Sequence, residues 1–425
     1  MTAKKTTREI VEAGLARRRR KEVTFRTFGV IATAAGVLFL GVFFATLIAN
    51  GASAFKQTFM QLDIELDADM LAPGGELDLD YADFDGLVRA ALRQEFPEVT
   101  SRGERRELYR LVSVGAGYQL RDLVNSNPDL VGSTQTLWVP ASSTVDMLLK
   151  GNIDASIDET LRTVSDQQIA WVDELRDAGR VRSQFNSALF SNGDSRDPEL
   201  AGIKGAVMGS FYMLLVTISL SFPIGVAAAI YREEFAPKNR WSDLIEVNIN
   251  NLAAVPSIVF GLLGLAVFIN WMSLPRSAPL VGGLVLTLLT LPVIIIASRA
   301  AIQAVPPSIR EAALGLGASR MQVVFHHVLP LAMPGMLTGA IIGMSRALGE
   351  SAPLLMIGMV AFIVDVPGGF TDPSTALPVQ IYLWADSPER AFAERTSAAI
   401  IVLLGFLLLM NLAAVIVRRR MERKW

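Results

Sequence analysis

Six long stretches of apolar residues constrain what this chain can fold into more than any other feature of its sequence. The first stretch, residues 27–49, contains 23 residues without a charged side chain. About 20 apolar residues in a helix cross the ~30 Å hydrocarbon core of a bilayer, so each stretch predicts a transmembrane helix. Only 19% of all residues are charged, whereas soluble proteins carry about 25%. The other predicted spans are Gly205–Tyr231, Leu252–Met272, Leu280–Ala297, Met333–Val364 and Thr396–Val417.

Charge divides the chain into an acidic insert and a basic remainder. Residues 51–204 contain 15 Lys and Arg against 26 Asp and Glu, a net charge of −11, and all other residues together carry +9. Residues 1–26 hold nine basic residues and residues 418–425 hold five, and basic residues favour the cytoplasmic side of a membrane. With six spans, both termini are therefore expected in the cytoplasm and the insert outside.

These features predict an all-α polytopic membrane protein with an inserted α/β or α+β domain between transmembrane helices 1 and 2. The predicted parts follow in chain order: a basic cytoplasmic segment 1–26, transmembrane helix 1 at 27–49, an acidic external domain 51–204, a membrane core 205–417 and a basic cytoplasmic tail 418–425.

The insert is long enough to bury a core of its own. Its pattern predicts helices at 87–96 and 158–190 and short strands at 108–114 and 136–140. An acidic cluster does not have the spacing of a calcium-binding loop, so we interpret it as a solvated face. Its members are Asp78, Asp80, Asp83 and Asp85.

A small-residue motif follows the first span. Ala52-Ser53-Ala54 resembles a signal-peptidase site. The apolar stretch before it is longer than the roughly 7–15 residues usual in a signal peptide, which favours an uncleaved signal anchor.

Several kinds of chemistry are excluded by the residues that the chain contains. It has no cysteine, and its two histidines, His326 and His327, are adjacent and so point about 100° apart on a helix. It also has no G-x-x-x-x-G-K-[S/T] motif to bind ATP phosphates. We therefore expect no metal site, no cofactor bound by this chain and no enzymatic site, and ATP-driven work must come from a partner. The basic termini suit topology and anionic membrane lipid, not nucleic acid.

The cytoplasmic loop 306–330 predicts a rigid protruding element. Ser308 and Glu311 have the spacing of a helix capping box, and Gly317 can end the short helix that they open. Ser319 and Gln322 repeat the box and open a second helix running to Pro330. Such a knob suits a groove on a soluble partner, and an elbow at the membrane surface fits the same pattern equally well.

The same loop resembles the EAA loop of ABC importer permeases. Glu311-Ala312-Ala313, then Gly317 four residues later and Leu329-Pro330, fit that loop, while His327 stands where the family usually has isoleucine. The resemblance implies the six-helix importer-permease fold. It also implies that the loop is the coupling helix, which docks into an ATP-binding subunit.

Further motifs resemble the phosphate permeases of the PstA type and their PstC sisters. They are SRALGESAPLL at 345–355, NLAAVPSIVFG at 251–261 and LPVII at 291–295, and LPVQI at 377–381 favours PstA over PstC. The likeness covers about residues 200–420 and implies a bacterial inner-membrane subunit for phosphate import, with the insert in the periplasm. The implied partners are a homologous PstC-like permease, two PstB-like ATP-binding subunits and a periplasmic PstS-like phosphate-binding protein.

Ionisable residues in the fifth predicted span are the candidate substrate-path residues. Arg346 lies near the middle of Met333–Val364, and Glu350 at i+4 shares its helix face. Arginine at mid-bilayer costs at least about 2.5–3.5 kcal/mol, so it should face the bundle interior or a watery path. The functional interpretation is that Arg346 binds phosphate oxygens and Glu350 accepts the proton of hydrogen phosphate, which sulfate lacks. The alternative is a structural ion pair.

The resemblance adds three residues to the candidate path. Ser345 and Ser351 flank the ionisable pair in the same motif. Arg299 follows the LPVII stretch, where PstA-like permeases often have a basic residue. It either joins the path or anchors the cytoplasmic end of the fourth span.

Two other functions remain open from the sequence. One is an ABC permease for another oxyanion, such as molybdate or sulfate. The other is a membrane receptor whose outer domain senses a ligand, although a pure sensor has no need of an ionisable pair at mid-membrane. The sequence does not decide between a heterodimer and a homodimer of permeases.

Overall fold

Five helices of the computed structural model, which describes residues 7–71, 82–237 and 239–421, are long and apolar enough to cross a membrane. A bent helix pair supplies a sixth candidate span, so the prediction of a mostly helical polytopic membrane protein is confirmed. The five helices are α1 (Thr7–Gly51), α9 (Lys204–Ile230), α12 (Pro279–Gln303), α15 (Leu329–Gly349) and α18 (Ala391–Met421). The bent pair is α10 (Arg240–Ala253) and the stretch Ser257–Trp271, which begins with α11 (Ser257–Gly264).

Two predicted spans are broken in the structure. The stretch Leu252–Met272 is wrong as one straight helix, because α10 and α11 meet at an angle of 99°. Pro256 stands at the break, and proline both lacks an amide hydrogen and disfavours a helical residue before it. The stretch Met333–Val364 is also wrong as one helix, since α15 ends at Gly349 and Glu350 is extended.

Shorter helices complete the membrane part. Residues 231–235, 265–271 and 323–328 are π-helical, and the last of these lies within one helical stretch from Arg320 to Gly349 that includes α15. The short helices are α13 (Pro307–Gly315), α14 (Arg320–Gln322), α16 (Ala352–Met356) and α17 (Leu377–Ala385).

Helix α12 forms the centre of the membrane bundle and packs between α9 and α15. Gly339 of α15 lies so close to α12 that a Cβ there would overlap the Cβ of Ala297. This is the close helix packing that a G-x-x-x-G pattern favours. Gly335 faces Ala301 one turn away, so α15 and α12 run antiparallel.

Residues 56–191 form an extramembrane unit with a three-stranded antiparallel sheet in the order β2–β1–β3. The strands are β1 (Lys56–Glu65), β2 (Thr134–Pro140) and β3 (Val181–Phe185). The helices are α2 (Ala68–Leu71), α3 (Phe84–Glu95), α4 (Arg102–Tyr109), α5 (Gly115–Ser126), α6 (Ser143–Leu149), α7 (Asp166–Asp177) and α8 (Ala188–Ser191). Met60, Leu62 and Ile64 of β1 are fully buried in the core of the unit.

Local predictions in this unit had mixed outcomes. The helix at 87–96 and the strand at 136–140 are confirmed as α3 and β2. Residues 108–114 are wrong as a strand, since they form the end of α4 and a turn. Residues 158–190 are also wrong as one helix, because Gly179, with φ +73°, separates α7 from β3. Of the acidic cluster, Asp78 and Asp80 lie outside the described residues, and Asp83 caps α3 by accepting a hydrogen bond from the Gly86 amide at 2.8 Å.

The extramembrane unit is anchored where the end of α1 meets the first turns of α18. Gly51 packs against the α18 backbone, since a Cβ there would lie 2.9 Å from the Ser397 carbonyl carbon. Apart from Leu47 and Gly51, the described side chains of α1 are exposed. Ala54, the last residue of the small-residue motif, is fully buried, and its carbonyl accepts a hydrogen bond from Asn186 Nδ2 at 2.9 Å.

Candidate functional site

Arg346 and Glu350 lie where the fifth span breaks. The Nε atom of Arg346 is 3.5 Å from Oε1 of Glu350, and their side chains are 44% and 20% exposed. Arg346 belongs to the last turn of α15, whereas Glu350 lies beyond the helix end. The predicted pair therefore forms, but across a helix terminus rather than along one face. Within the described residues, the terminal nitrogens of Arg346 form no hydrogen bond.

The break lies near the middle of the bundle. Gly335 faces Ala301 and Gly339 faces Ala297. At the 1.5 Å rise of an α-helix, Arg346 is then level with about residue 290, near the centre of the 25-residue α12. Irregular backbone at this depth is tolerated where it is buried in protein or lines a water-filled cavity.

The two serines of the motif do not join Arg346 in one cluster. Ser345 Oγ donates a hydrogen bond to Oδ1 of Asn411 in α18 at 2.8 Å, so Ser345 faces a neighbouring helix. Ser351 lies at the start of α16, where its carbonyl accepts from the amides of Leu354 and Leu355 at 3.0 Å. Ser351 thus stabilises the short helix that follows the break.

Arg299 is separate from Arg346. The same helix alignment places Arg299 level with about residue 337, which is roughly 14 Å from Arg346 along the axis. Its Nε lies 2.6 Å from Glu233 Oε1, and its Nη2 lies 3.2 Å from Glu246 Oε1. Arg299 thus has both carboxylates as partners near the end of α12, and 13% of its side chain is exposed.

The loop 306–330 exposes a short helix with apolar side chains. Glu311 and Ala312 are exposed on α13, Ala313 is buried beneath it, and Leu316 is 91% exposed. Gly317 has φ +87°, a conformation that L-residues rarely adopt, which confirms the predicted left-handed helix end. Leu314, Met321 and Phe325 add further exposed apolar surface.

Two local predictions for this loop are wrong. The Ser308–Glu311 capping box does not form, because α13 already begins at Pro307 with Pro306 before it, and proline is well suited to a first helical position. The second helix does not stop at Leu329-Pro330, because it continues through the π-helical turn into α15. The Ser319–Gln322 box is confirmed, with Ser319 N donating to Gln322 Oε1 at 2.8 Å.

The sequence did not predict an ion-pair network that joins the end of α9 to α12 and α13. Glu233 and Glu234 are adjacent on the π-helical turn 231–235 at the end of α9. Glu233 contacts Arg299 of α12, and Glu234 contacts Arg310 of α13. The signal in the sequence was the run Arg232-Glu233-Glu234 directly after a span, but its partners lie 66 and 76 residues away.

A second missed cluster joins the extramembrane unit to α18. Lys150 Nζ lies 2.6 Å from Asp146 Oδ2 and 2.8 Å from Glu394 Oε1, and all three side chains are at most 10% exposed. Asn152 Nδ2 donates to Glu394 Oε2 at 3.2 Å. Arg395 lies among the carboxylates of this cluster and is 4% exposed.

Two carboxyl groups near this junction have shifted pKa values. Burial raises the pKa of Glu199, and a hydrogen bond from Ser113 opposes the shift. Burial also raises the pKa of Asp194, which accepts a hydrogen bond from Trp384 Nε1 at 3.0 Å. Both groups therefore resist ionisation more than free carboxyl groups do.

Two family models match the chain. Residues 221–423 match the binding-protein-dependent transport system inner membrane component family. Residues 12–159, which include the first span and most of the insert, match a domain of unknown function, DUF3333.

Three curated relatives match between 41% and 53% of this chain. A probable ABC transporter permease, YqgI of Bacillus subtilis, is 39% identical over 174 residues, which are 41% of this chain and 58% of YqgI. This chain thus matches less than two thirds of YqgI. The phosphate transport system permease PstA 1 of Mycobacterium tuberculosis is 31% identical over 51% of this chain and 70% of its own length. PstA of Haemophilus influenzae is 28% identical over 53% of this chain and 78% of its own length.

Among solved structures, the MetNI methionine ABC transporter matches 51% of this chain and 95% of its own, with 18% identity and a TM-score of 0.40. The family assignment rests on the curated relatives, because the Mycobacterium protein is matched over most of its length. The chain belongs to the PstA family of phosphate transport system permeases, which are inner-membrane components of binding-protein-dependent transport systems.

Proposed function

We propose that this chain is the permease subunit that moves inorganic phosphate across the bacterial inner membrane, driven by ATP that a separate subunit hydrolyses. The observation that carries the proposal is Arg346, an arginine near the centre of the bundle with a single carboxylate 3.5 Å away. The relatives named as phosphate transport system permeases support the choice of ion.

In this proposal, Arg346 offers planar, always-charged donors to phosphate oxygens. Glu350 moderates that attraction so that the ion can leave, and its carboxylate accepts the proton of hydrogen phosphate. Sulfate carries no such proton at neutral pH, so the pair favours phosphate. The end of α15 at Gly349 supports the path, because the chain departs from helical geometry beside the arginine.

The proposed assembly contains a second, PstC-like permease, two PstB-like ATP-binding subunits and a periplasmic PstS-like binding protein. The exposed apolar side chains Leu314, Leu316 and Phe325 support docking of α13 in a groove of an ATP-binding subunit. We place both termini in the cytoplasm and residues 51–204 in the periplasm, as the charge distribution favours.

Phosphate uptake by paired variants tests this function in vesicles that hold the full transporter. Arg346→Gln should abolish ATP-dependent phosphate uptake while the subunits still co-purify. The double change Arg346→Leu with Glu350→Leu should also stay inactive. Apolar side chains can replace a purely structural ion pair, so recovered transport in the double variant would contradict an anion-binding role.

The matched control is Arg276→Gln, which removes one arginine from a loop outside the candidate path and should leave uptake unchanged. The same vesicles are given sulfate and molybdate. Uptake of either ion in place of phosphate would favour the alternative of a different oxyanion permease.

A further inference from the structure

The adjacent carboxylates of Glu233 and Glu234 point to different elements. Both lie on the π-helical turn 231–235 that ends α9. Oε1 and Oε2 of Glu233 accept hydrogen bonds from Arg299 Nε and Gln303 Nε2, at 2.6 and 2.9 Å, and so contact α12. Glu234 instead accepts from Arg310 of α13. One turn of helix thus connects a membrane span to the cytoplasmic loop, and π-helical turns occur often at functional sites.

Arg310 uses most of its donors to fix α13 in place. Its Nε and Nη2 donate to Glu234 Oε1 at 3.1 and 2.9 Å. Its Nη1 donates to the carbonyl of Val305 at 2.7 Å, and its Nη2 also donates to the carbonyl of Ile302 at 2.9 Å. The side chains of Arg310 and Glu234 are 22% and 13% exposed, so water competes little for these bonds.

These bonds determine how a displacement of α13 reaches the spans. Residues 304–306 join α13 to α12 along the backbone, and Ile309 and Ala313 of α13 pack in one apolar cluster with side chains of α9 and α12. On the other side, α13 ends in the left-handed turn at Gly317. The rigid guanidinium fork of Arg310 adds a directional polar link to these contacts, because it bonds both Glu234 after α9 and the carbonyls of Ile302 and Val305 at the end of α12.

We infer that Arg310 and Glu234 are positioning residues that transmit movement of α13 to α9 and α12, and so couple ATP hydrolysis to ion transport. The inference rests on the proposed function, because it takes α13 as the element that docks on the ATP-binding subunit. It adds specific residues that connect the docked helix to the spans.

A double-mutant cycle on the full transporter tests the inference. The measurement is the number of ATP molecules hydrolysed per oxyanion imported into proteoliposomes. Glu234→Gln and Arg310→Gln should each raise this ratio at least about fivefold, the lower range of typical coupling between sites. The double variant should be no worse than the worse single variant, because each change breaks the same link. Arg310→Lys keeps the charge but lacks the fork, and should fall between wild type and Arg310→Gln.

Glu233→Gln is the matched control, because it changes the neighbouring carboxylate that contacts α12 and not α13. In the double variant Glu233→Gln with Arg310→Gln, the increase in the number of ATP molecules hydrolysed per oxyanion should be the product of the two single-variant increases. Co-purification of the ATP-binding subunit with every variant shows that docking itself persists. Loss of that subunit from Arg310→Gln, or a wild-type ratio in Arg310→Gln and Glu234→Gln, would overturn the inference.

The wild type separates this test from the test of the proposed function. If wild-type vesicles import sulfate or molybdate but not phosphate, the proposed ion is wrong and the cycle is measured with the ion that is imported. If the assembled wild type hydrolyses ATP and imports no oxyanion, both the proposed function and the inference are contradicted.

Discussion

Glu394→Leu should weaken the contact between α6 of the extramembrane unit and α18. Glu394 accepts a hydrogen bond from Lys150 Nζ at 2.8 Å in a site where both side chains are at most 10% exposed. Leucine removes one bond between charged groups, which contributes about 1.5–3 kcal/mol. Lys150 keeps Asp146 at 2.6 Å, and the exposed Asn152 amide can turn to water, so the cost stays near 2–3 kcal/mol instead of the 3–5 kcal/mol of a fully unpaired buried charge.

Amide hydrogen exchange of α6 (Ser143–Leu149) measures this loss, because Asp146 and Lys150 belong to that helix and its end. A cost of about 2–3 kcal/mol corresponds to exchange roughly 30- to 160-fold faster, if α6 exchanges by opening of this contact. Glu394→Gln keeps the acceptor oxygen and should lose less. Glu389→Leu removes an exposed carboxylate before the same helix and should stay within about 0.5 kcal/mol of wild type. Unchanged α6 protection in Glu394→Leu would refute the reasoning.

Three further results are expected. Gly317→Val should cost about 1–2 kcal/mol locally and weaken co-purification of the ATP-binding subunit, whereas Gly317→Asn, which tolerates positive φ, should bind nearly normally. Because burial raises the pKa of Glu199 above its unfolded value, its contribution to stability is full below about pH 4 and is lost as pH rises through the folded pKa. Glu199→Gln should therefore unfold at a temperature that changes less between about pH 4.5 and 7.5 than wild type does, and an equal change would contradict this assignment. In spheroplasts of this cysteine-free chain, Ser183→Cys should react with an impermeant thiol reagent and Met321→Cys should not, and the reverse pattern would contradict the proposed orientation.

Hydropathy predicted the existence of the spans because the requirement to cross a bilayer is expressed in every residue of a stretch. Whether an apolar stretch forms one straight helix or is bent or broken depends on only a few of its residues. Pro256 could have been read as a bend, but Gly and Pro are also tolerated inside membrane helices, so the sequence alone did not separate the two cases. The same ambiguity concealed the end of α15 at Gly349.

Capping signals were reliable where they did not compete with another local preference. Ser319 forms its capping box with Gln322, whereas Ser308 forms none because two prolines start α13 earlier.

The ion pairs of Glu234 and of Glu394 join residues 76 and 244 positions apart. No local pattern specifies such partners, because they meet only after the helices have packed.

Arg299, Arg310 and Arg346 differ in how fully carboxylates and carbonyls compensate their charge. Arg299 has two carboxylates within 3.2 Å, and Arg310 has one carboxylate and two backbone carbonyls within 2.9 Å. Arg346 has one carboxylate at 3.5 Å, and 44% of its side chain is exposed. A charge near mid-membrane needs a partner, and the single long contact with Glu350 compensates the charge of Arg346 only in part. An anion that passes through the break after α15 would supply the missing partner, whereas Arg299 and Arg310 already contact carboxylates of this chain. Charge compensation within the chain, more than position in a motif, therefore distinguishes Arg346, the proposed anion-binding residue, from Arg299 and Arg310.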